Sequence, residues 1–161
     1  MAYQVYVTVT GTKQGVFKGE STQKGREGKI QALSVSYGVT VPRDIASGQA
    51  SGKRTEQPLV FSKNWGASSP QFFAAAYANE ALSSVLIEYY AQSADGSVKV
   101  DHTVKLTNAS IVSVLDSFAE TNATGAADGR DIDTITLTFQ KIEITSNSGG
   151  TSAIDELRAN V

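Results

Sequence analysis

Residues 69–82 read SPQFFAAAYANEAL, a helical pattern in a chain that otherwise alternates between strands and turns. Ser69 suits the N-cap, where its hydroxyl would accept from an otherwise unpaired amide, and Pro70 suits the first helical position, where a missing donor costs nothing. Phe73, Ala76, Tyr77 and Ala81 recur at steps of three and four, while Gln71, Asn79 and Glu80 supply polar positions and Phe72 broadens the apolar stripe. The pattern predicts a helix over 69–82 that packs through Phe72, Phe73, Tyr77 and Leu82. Burying such side chains contributes roughly 1.5–3 kcal/mol each, more than an isolated helix of this length gains from propensity, so the helix needs a sheet to lie on.

The flanking sequence supplies strands. Residues 3–10 alternate, with Tyr3, Val5, Val7 and Val9 on one side. A short 16–18 segment and the glycine-rich, charged loop GESTQKGREGK (19–29) follow. In 30–41 the odd positions Leu33, Val35, Tyr37, Val39 and Val41 form an apolar row opposed by small residues. A short strand at 58–63 leads into the helix. After it, 85–90 and 98–106 flank an Ala94-Asp95-Gly96 turn and read as a hairpin. Asn108-Ala109 interrupts the alternation before 111–115, which implies a bulge or bend in one long ribbon. Beyond the turn-rich 120–130 stretch, a last strand over 132–144 sets Ile135, Leu137 and Phe139 against Thr134, Thr136, Thr138 and Gln140; the threonine side is expected to be wet or to face another subunit. Residues 146–161 read as a flexible tail in which 153–159 form one or two helical turns. These strands and one helix imply a mainly β fold, a barrel or sandwich with the helix packed against it, in a single domain over 1–161.

Composition removes whole classes of chemistry. The 161 residues are 40% hydrophobic and 19% charged, enough to bury one core, and contain no cysteine, which excludes disulfides, thiolate catalysis and zinc-thiolate sites. A net charge of −2 gives no broad drive towards nucleic acid, and no apolar run reaches membrane-spanning length. The N-terminus enters strand alternation without a basic leader or apolar core, so any export is expected to use a dedicated machine. GQASGKR (48–54) departs from a phosphate-binding loop in its glycine spacing and in Arg54, which replaces the metal-binding hydroxyl. His102 is alone, short of a multi-histidine metal site. Asp128, Asp131 and Asp133 lack the spacing and closing glutamate of a calcium loop and read as turn charges. The Asn108 and Asn122 glycosylation patterns are short enough for chance. No catalytic, cofactor or metal site is expected. The loop RDIASGQASGKRTEQ (43–57) is long, polar and poor in core-forming side chains, which marks it as a contact surface. A rival function is a monomeric β-barrel binding a carbohydrate or small ligand on Trp65, Tyr89 and Tyr90.

Five segments in order, GESTQKGREGKIQALSVSYGV (19–39), SGQASGKRTEQP (47–58), SSPQFFAAAYANEAL (68–82), LTNASIVSV (106–114) and FQKIEIT (139–145), resemble the Hcp family of type VI secretion tube proteins. Glu56 stands where members commonly carry histidine, and the C-terminal GGTSAIDELRANV lacks their usual final aromatic residue. The resemblance implies a mainly β, phage tail-tube-like fold, a small barrel of two packed antiparallel sheets flanked by one α-helix, that forms homo-hexameric rings stacked head to tail, an inner tube expelled with tip and cargo effector proteins when a sheath contracts. It also implies assembly from the bacterial cytoplasm and secretion without a signal peptide, with neither nucleic acid nor membrane insertion. On that reading Arg43, Asp44, Lys53, Arg54 and Glu56 of the long loop are expected to contact the next ring.

Overall fold

The computed structural model of the protein describes residues 3–118 and 131–157; Asp128 and Asn122 lie outside the described residues. The chain runs β1 (Gln4–Gly11), β2 (Gly15–Val16), β3 (Ile30–Thr40), β4 (Thr55–Asn64), α1 (Ser69–Tyr77), β5 (Leu82–Gln92), β6 (Val98–Phe118), β7 (Asp131–Thr138), β8 (Lys141–Ser146) and β9 (Thr151–Glu156). β1 lies between β3 and β5, β3 pairs with β4, β4 with β7, β7 with the second half of β6, and the first half of β6 returns to β5, all antiparallel. Six strands thus close a ring, which satisfies both edges of each. The two packed sheets expected from the sequence are the two sides of this barrel. β8 prolongs β7 along β6, with Thr107 opposite Lys141 and Ser110 opposite Thr138, and β9 pairs along β8 outside the ring.

Alternation alone misplaces some faces because the ladders contain irregularities. In β3 Ile30 and Ala32 are buried, the register shifts between Ala32 and Ser34, and Val35 and Tyr37 then pack on the core while Leu33 is exposed. One extra residue reverses the parity of everything after it. Val39 and Val41 lie exposed beyond the core. β6 changes parity similarly: Val104 and Leu106 are buried, Asn108 takes φ +52°, and Ala109 is buried next. The bend expected at Asn108-Ala109 is therefore present, within one strand of 21 residues.

The helix is shorter than the apolar pattern suggests. It ends at Tyr77, because Asn79 adopts φ +52° and closes a Schellman turn in which the Asn79 amide donates to the Ala76 carbonyl at 3.3 Å and the Glu80 amide to that of Ala75 at 2.8 Å. Leu82 is buried, but as the first residue of β5. Phe72 carries the docking: its ring meets Phe17 at 4.9 Å and Phe61 at 5.9 Å, edge to face, and buried Ala75 lets the helix approach the barrel. Phe73 is half-buried beside Tyr77, and Tyr77 is 85% exposed, so neither is the anchor that the sequence predicts.

Among the described residues, the helical turns expected at 153–159 give way to β9. Thr151 to Glu156 pair residue for residue with β8 across a tight turn in which Gly150, at φ +68°, donates to the Ser146 carbonyl at 2.9 Å. The expected single strand over 132–144 is broken at Phe139-Gln140 into β7 and β8.

Candidate functional site

Across β3, β4, β7 and β6 the register aligns two kinds of row. Val35, Phe61, Ile135 and Val114 stand opposite one another towards the core. The neighbouring rows, Ser34–Ser62–Thr134–Leu115 and Ser36–Val60–Thr136–Ser113, point the other way. Ser34 and Ser62 hydrogen bond through their hydroxyls at 2.6 Å. This part of the barrel wall therefore presents mostly short hydroxyl side chains, interrupted by Val60 and the exposed Leu115, and a pocket bordered by Ser36, Pro58, Val60 and Thr136 opens on it.

The long loop leaves β3 and re-enters β4 as a structured hairpin. Arg43 and Ala50 form an isolated bridge, the Asp44 carboxylate accepts from the Ala46 amide at 3.1 Å and the Ser47 hydroxyl at 2.9 Å, and the Ser51 amide reaches the Pro42 carbonyl at 3.0 Å. Asp44 thus fastens its own loop. At the base, the Arg54 guanidinium holds Asp155 of β9 in a forked pair, with Nε to Oδ2 at 2.9 Å. Arg54 and then Glu56 hold the Asp155 carboxyl down at about 2. Glu56, driven first by burial and then by its hydrogen bond to Asp155, is pushed up to about 7. These groups border a groove of about 350 Å³ lined mainly by Tyr37, Val39, Val41, Ile142, Ile144 and Ile154. Lys53 is exposed beside it in sequence.

A second polar centre closes the end of the barrel beneath the helix N-terminus. Lys63 and Asp133 are opposite each other on β4 and β7, fully buried, with Nζ 3.4 Å from Oδ2. The Lys63 ammonium also donates to Ser69 Oγ at 2.9 Å and the Asn64 carbonyl at 2.7 Å, and Glu20 lies 3.6 Å away. Ser69 is thereby diverted from capping: its hydroxyl accepts from the Gly66 amide at 3.1 Å and donates to Asp133, while Ser68 takes the N-cap position without a side-chain cap bond. Glu20 supplies the missing acceptor, receiving the Ser68 amide at 2.9 Å and its hydroxyl at 2.7 Å. The Gly-Glu-Ser segment, read from sequence as a solvated loop, is in fact a clasp. Gly19 lies so close to the Lys29 backbone that a Cβ would sit 2.2 Å from its carbonyl carbon. Across from Asp133 on β6 stands Asp116, and one carboxylate oxygen each of Asp116, Asp131 and Asp133 lies within 4.8 Å of the others. Burial first, reinforced by Asp116, raises the Asp133 carboxyl, while Asp131 raises that of Asp116. The sequence placed Asp131 and Asp133 together but missed Asp116, which is distant in the chain.

The remaining candidates fall into separate settings. Trp65 borders Glu20, Ser21 and Asn64. Tyr89 stacks on His102 at 4.0 Å, and His102 Nδ1 lies 2.7 Å from Asp101. Tyr90 meets Tyr6 edge to face at 5.5 Å beneath the Arg26 guanidinium. Three aromatics so dispersed form no shared stacking platform. GQASGKR connects two strands rather than opening a helix, unlike a phosphate-binding loop.

Comparison with known proteins agrees with this architecture. A family model described as "Type VI secretion system effector, Hcp" matches residues 6–145. A Pseudomonas aeruginosa protein named "Major exported protein" is 32% identical over 170 aligned positions, covering 100% of this chain and 99% of the relative. A crystal structure of an Hcp protein superposes with TM-score 0.89 at 25% identity, over 98% of this chain and 99% of that one. The secreted protein Hcp3 from Pseudomonas aeruginosa superposes with TM-score 0.78 at 26% identity, over 96% of this chain and 98% of that one.

Proposed function

This chain belongs to the Hcp family of type VI secretion proteins, and from that premise we propose that it is a structural subunit of the secretion tube. Hexameric rings of it stack head to tail, lie inside a contractile sheath, and leave the cell with a tip and cargo effector proteins. Its action is mechanical rather than enzymatic. Family membership supports this reading, and so does a barrel wall rich in serine and threonine, because mostly short neutral side chains suit a surface along which other proteins slide or pack. Head-to-tail contacts are heterologous, so they propagate without closing.

The loop between β3 and β4 is the proposed contact with the next ring, through Arg43, Asp44, Lys53, Arg54 and Glu56. Asp44 stiffens the tip and the Arg54–Asp155 pair fixes the base, which presents Lys53 on a pre-organised support. Export follows the same proposal: the tube itself is secreted, without need of a leader. Negative-stain microscopy and light scattering on the purified protein test it. Rings of several subunits are expected; a 17.0 kDa monomer across a wide concentration range overturns the proposal.

A further inference from the structure

We propose that Asp116, Asp131 and Asp133 form a binding site for a calcium ion at the helix end of the barrel. The three carboxylates come from two neighbouring strands: Asp116 on β6 stands directly opposite Asp133 on β7, and Asp131 lies two residues along β7 on the same face. Like charges placed opposite each other in a sheet repel. Lys63 is the only basic group recorded within ion-pair distance of Asp133 among the described residues, and it is engaged with the Oδ2 atom and shared with Glu20. Two carboxylates, those of Asp133 and Glu20, therefore share one ammonium.

An independent observation points to a ligand. Asp133 is completely buried, and its Oδ1 atom has no hydrogen-bond partner among the described residues; Asp131 Oδ1 is buried in the same condition. Buried carboxylate oxygens normally find a donor or a cation. The spacing suits one ion: oxygens that all lie within 4.8 Å of one another stay inside the roughly 5.2 Å that at most separates two ligands of a calcium ion. A donor set of carboxylates alone selects a hard cation over zinc or copper. Asp116 is exposed, which opens the cluster to solvent, whereas Asp133 forms its closed floor.

The single tryptophan gives a specific probe. Trp65 donates its backbone amide to the Asp131 carbonyl at 3.0 Å, which sets the residue beside the cluster as the donor for sensitising a terbium ion held there. Titrating the full chain with terbium is expected to give tryptophan-excited emission that saturates at one ion per chain and is displaced by calcium. Asp116→Asn and Asp131→Asn keep side-chain volume and leave the Lys63–Asp133 pair intact; each is expected to weaken terbium binding by about tenfold or more through loss of ligand charge. Calcium is expected to raise the melting temperature of the wild-type chain above that in sodium chloride of equal ionic strength, and to leave the variants unmoved. Emission that does not saturate, resists calcium, or persists undiminished in both folded variants overturns the site. Should a variant fail to fold, wild-type stoichiometry and calcium displacement decide alone.

Discussion

Phe72 joins helix to barrel, and its removal is the most direct measure of that contact. Phe72→Ala empties the space between the Phe17 and Phe61 rings and is expected to cost about 3–5 kcal/mol. Tyr77→Ala, at an exposed position, is expected to stay within about 0.5 kcal/mol. Urea denaturation of both variants checks the pair; equal midpoints would show that the helix does not dock through Phe72. The sequence contains both phenylalanines but not the choice between them, because adjacent helical residues differ by only about 100° and either can lead an apolar stripe. Lys63 was legible in another sense. It continues the inward parity of Leu59 and Phe61, yet lysine is rarely buried without a partner, and Asp133 is remote in sequence. Lys63→Ala leaves that carboxylate, Ser69 and Glu20 without their shared ammonium and is expected to destabilise by about 3–5 kcal/mol in the same assay. A variant as stable as wild type would show that the cluster is not maintained by this ion pair.

β9 is the element that the sequence disguises most. Thr-Ser-Ala-Ile-Asp-Glu has no strong period, and pairing with β8, not propensity, makes it a strand. By contrast the Schellman turn had a readable signal in Asn79, a residue suited to the left-handed position after a helix. The bulges in β3 and β6 were half legible: an interruption can be seen at Asn108, but the pattern of 30–41 hides the slip at Leu33 because residues on both sides of the strand fit some face. What β9 contributes can be tested by pH. Glu56 holds its proton to about 7 in the folded chain against an ordinary value of 4.5, so between these values the native state binds a proton that the unfolded state has lost. Stability from this group therefore falls as pH rises from about 4.5 to about 7 and then levels. Asp155 works oppositely: its depressed value gives stability that is present above the ordinary 3.8 and is lost as pH falls towards about 2. Glu56→Gln, which retains a donor towards Asp155 without the charge, is expected to remove the upper loss and to melt higher than wild type at pH 8. Thermal melting from pH 5 to 8 checks it; parallel profiles for the two proteins would show that Glu56 does not titrate in this window.

At the scale of the molecule, folding and stacking are expected to separate. The barrel closes through six strands around a core to which the β3–β4 loop contributes no buried side chain between Arg43 and Arg54, so the loop's length is free to serve a contact beyond the subunit. The strands and the threonine row were readable from alternation and closure into a barrel came with the family resemblance, whereas the Arg54–Asp155 pair was not readable, since it joins the loop to a strand that the sequence disguised. That pair directs the design of the test. Arg54 is retained, because it anchors β9, while Lys53→Ala is combined with a shortening of the tip between residues 46 and 51. The altered surface is expected to shift folding stability by no more than about 0.5 kcal/mol. Light scattering is expected to find the same rings as in wild type, and microscopy to find no stacked tubes. Phe72→Ala is expected to weaken fold and ring together, since it acts through the core. A loop variant that stacks like wild type removes the loop from the ring-to-ring contact. One that melts as early as Phe72→Ala shows instead that the hairpin supports the barrel, and that stacking and folding share the same residues.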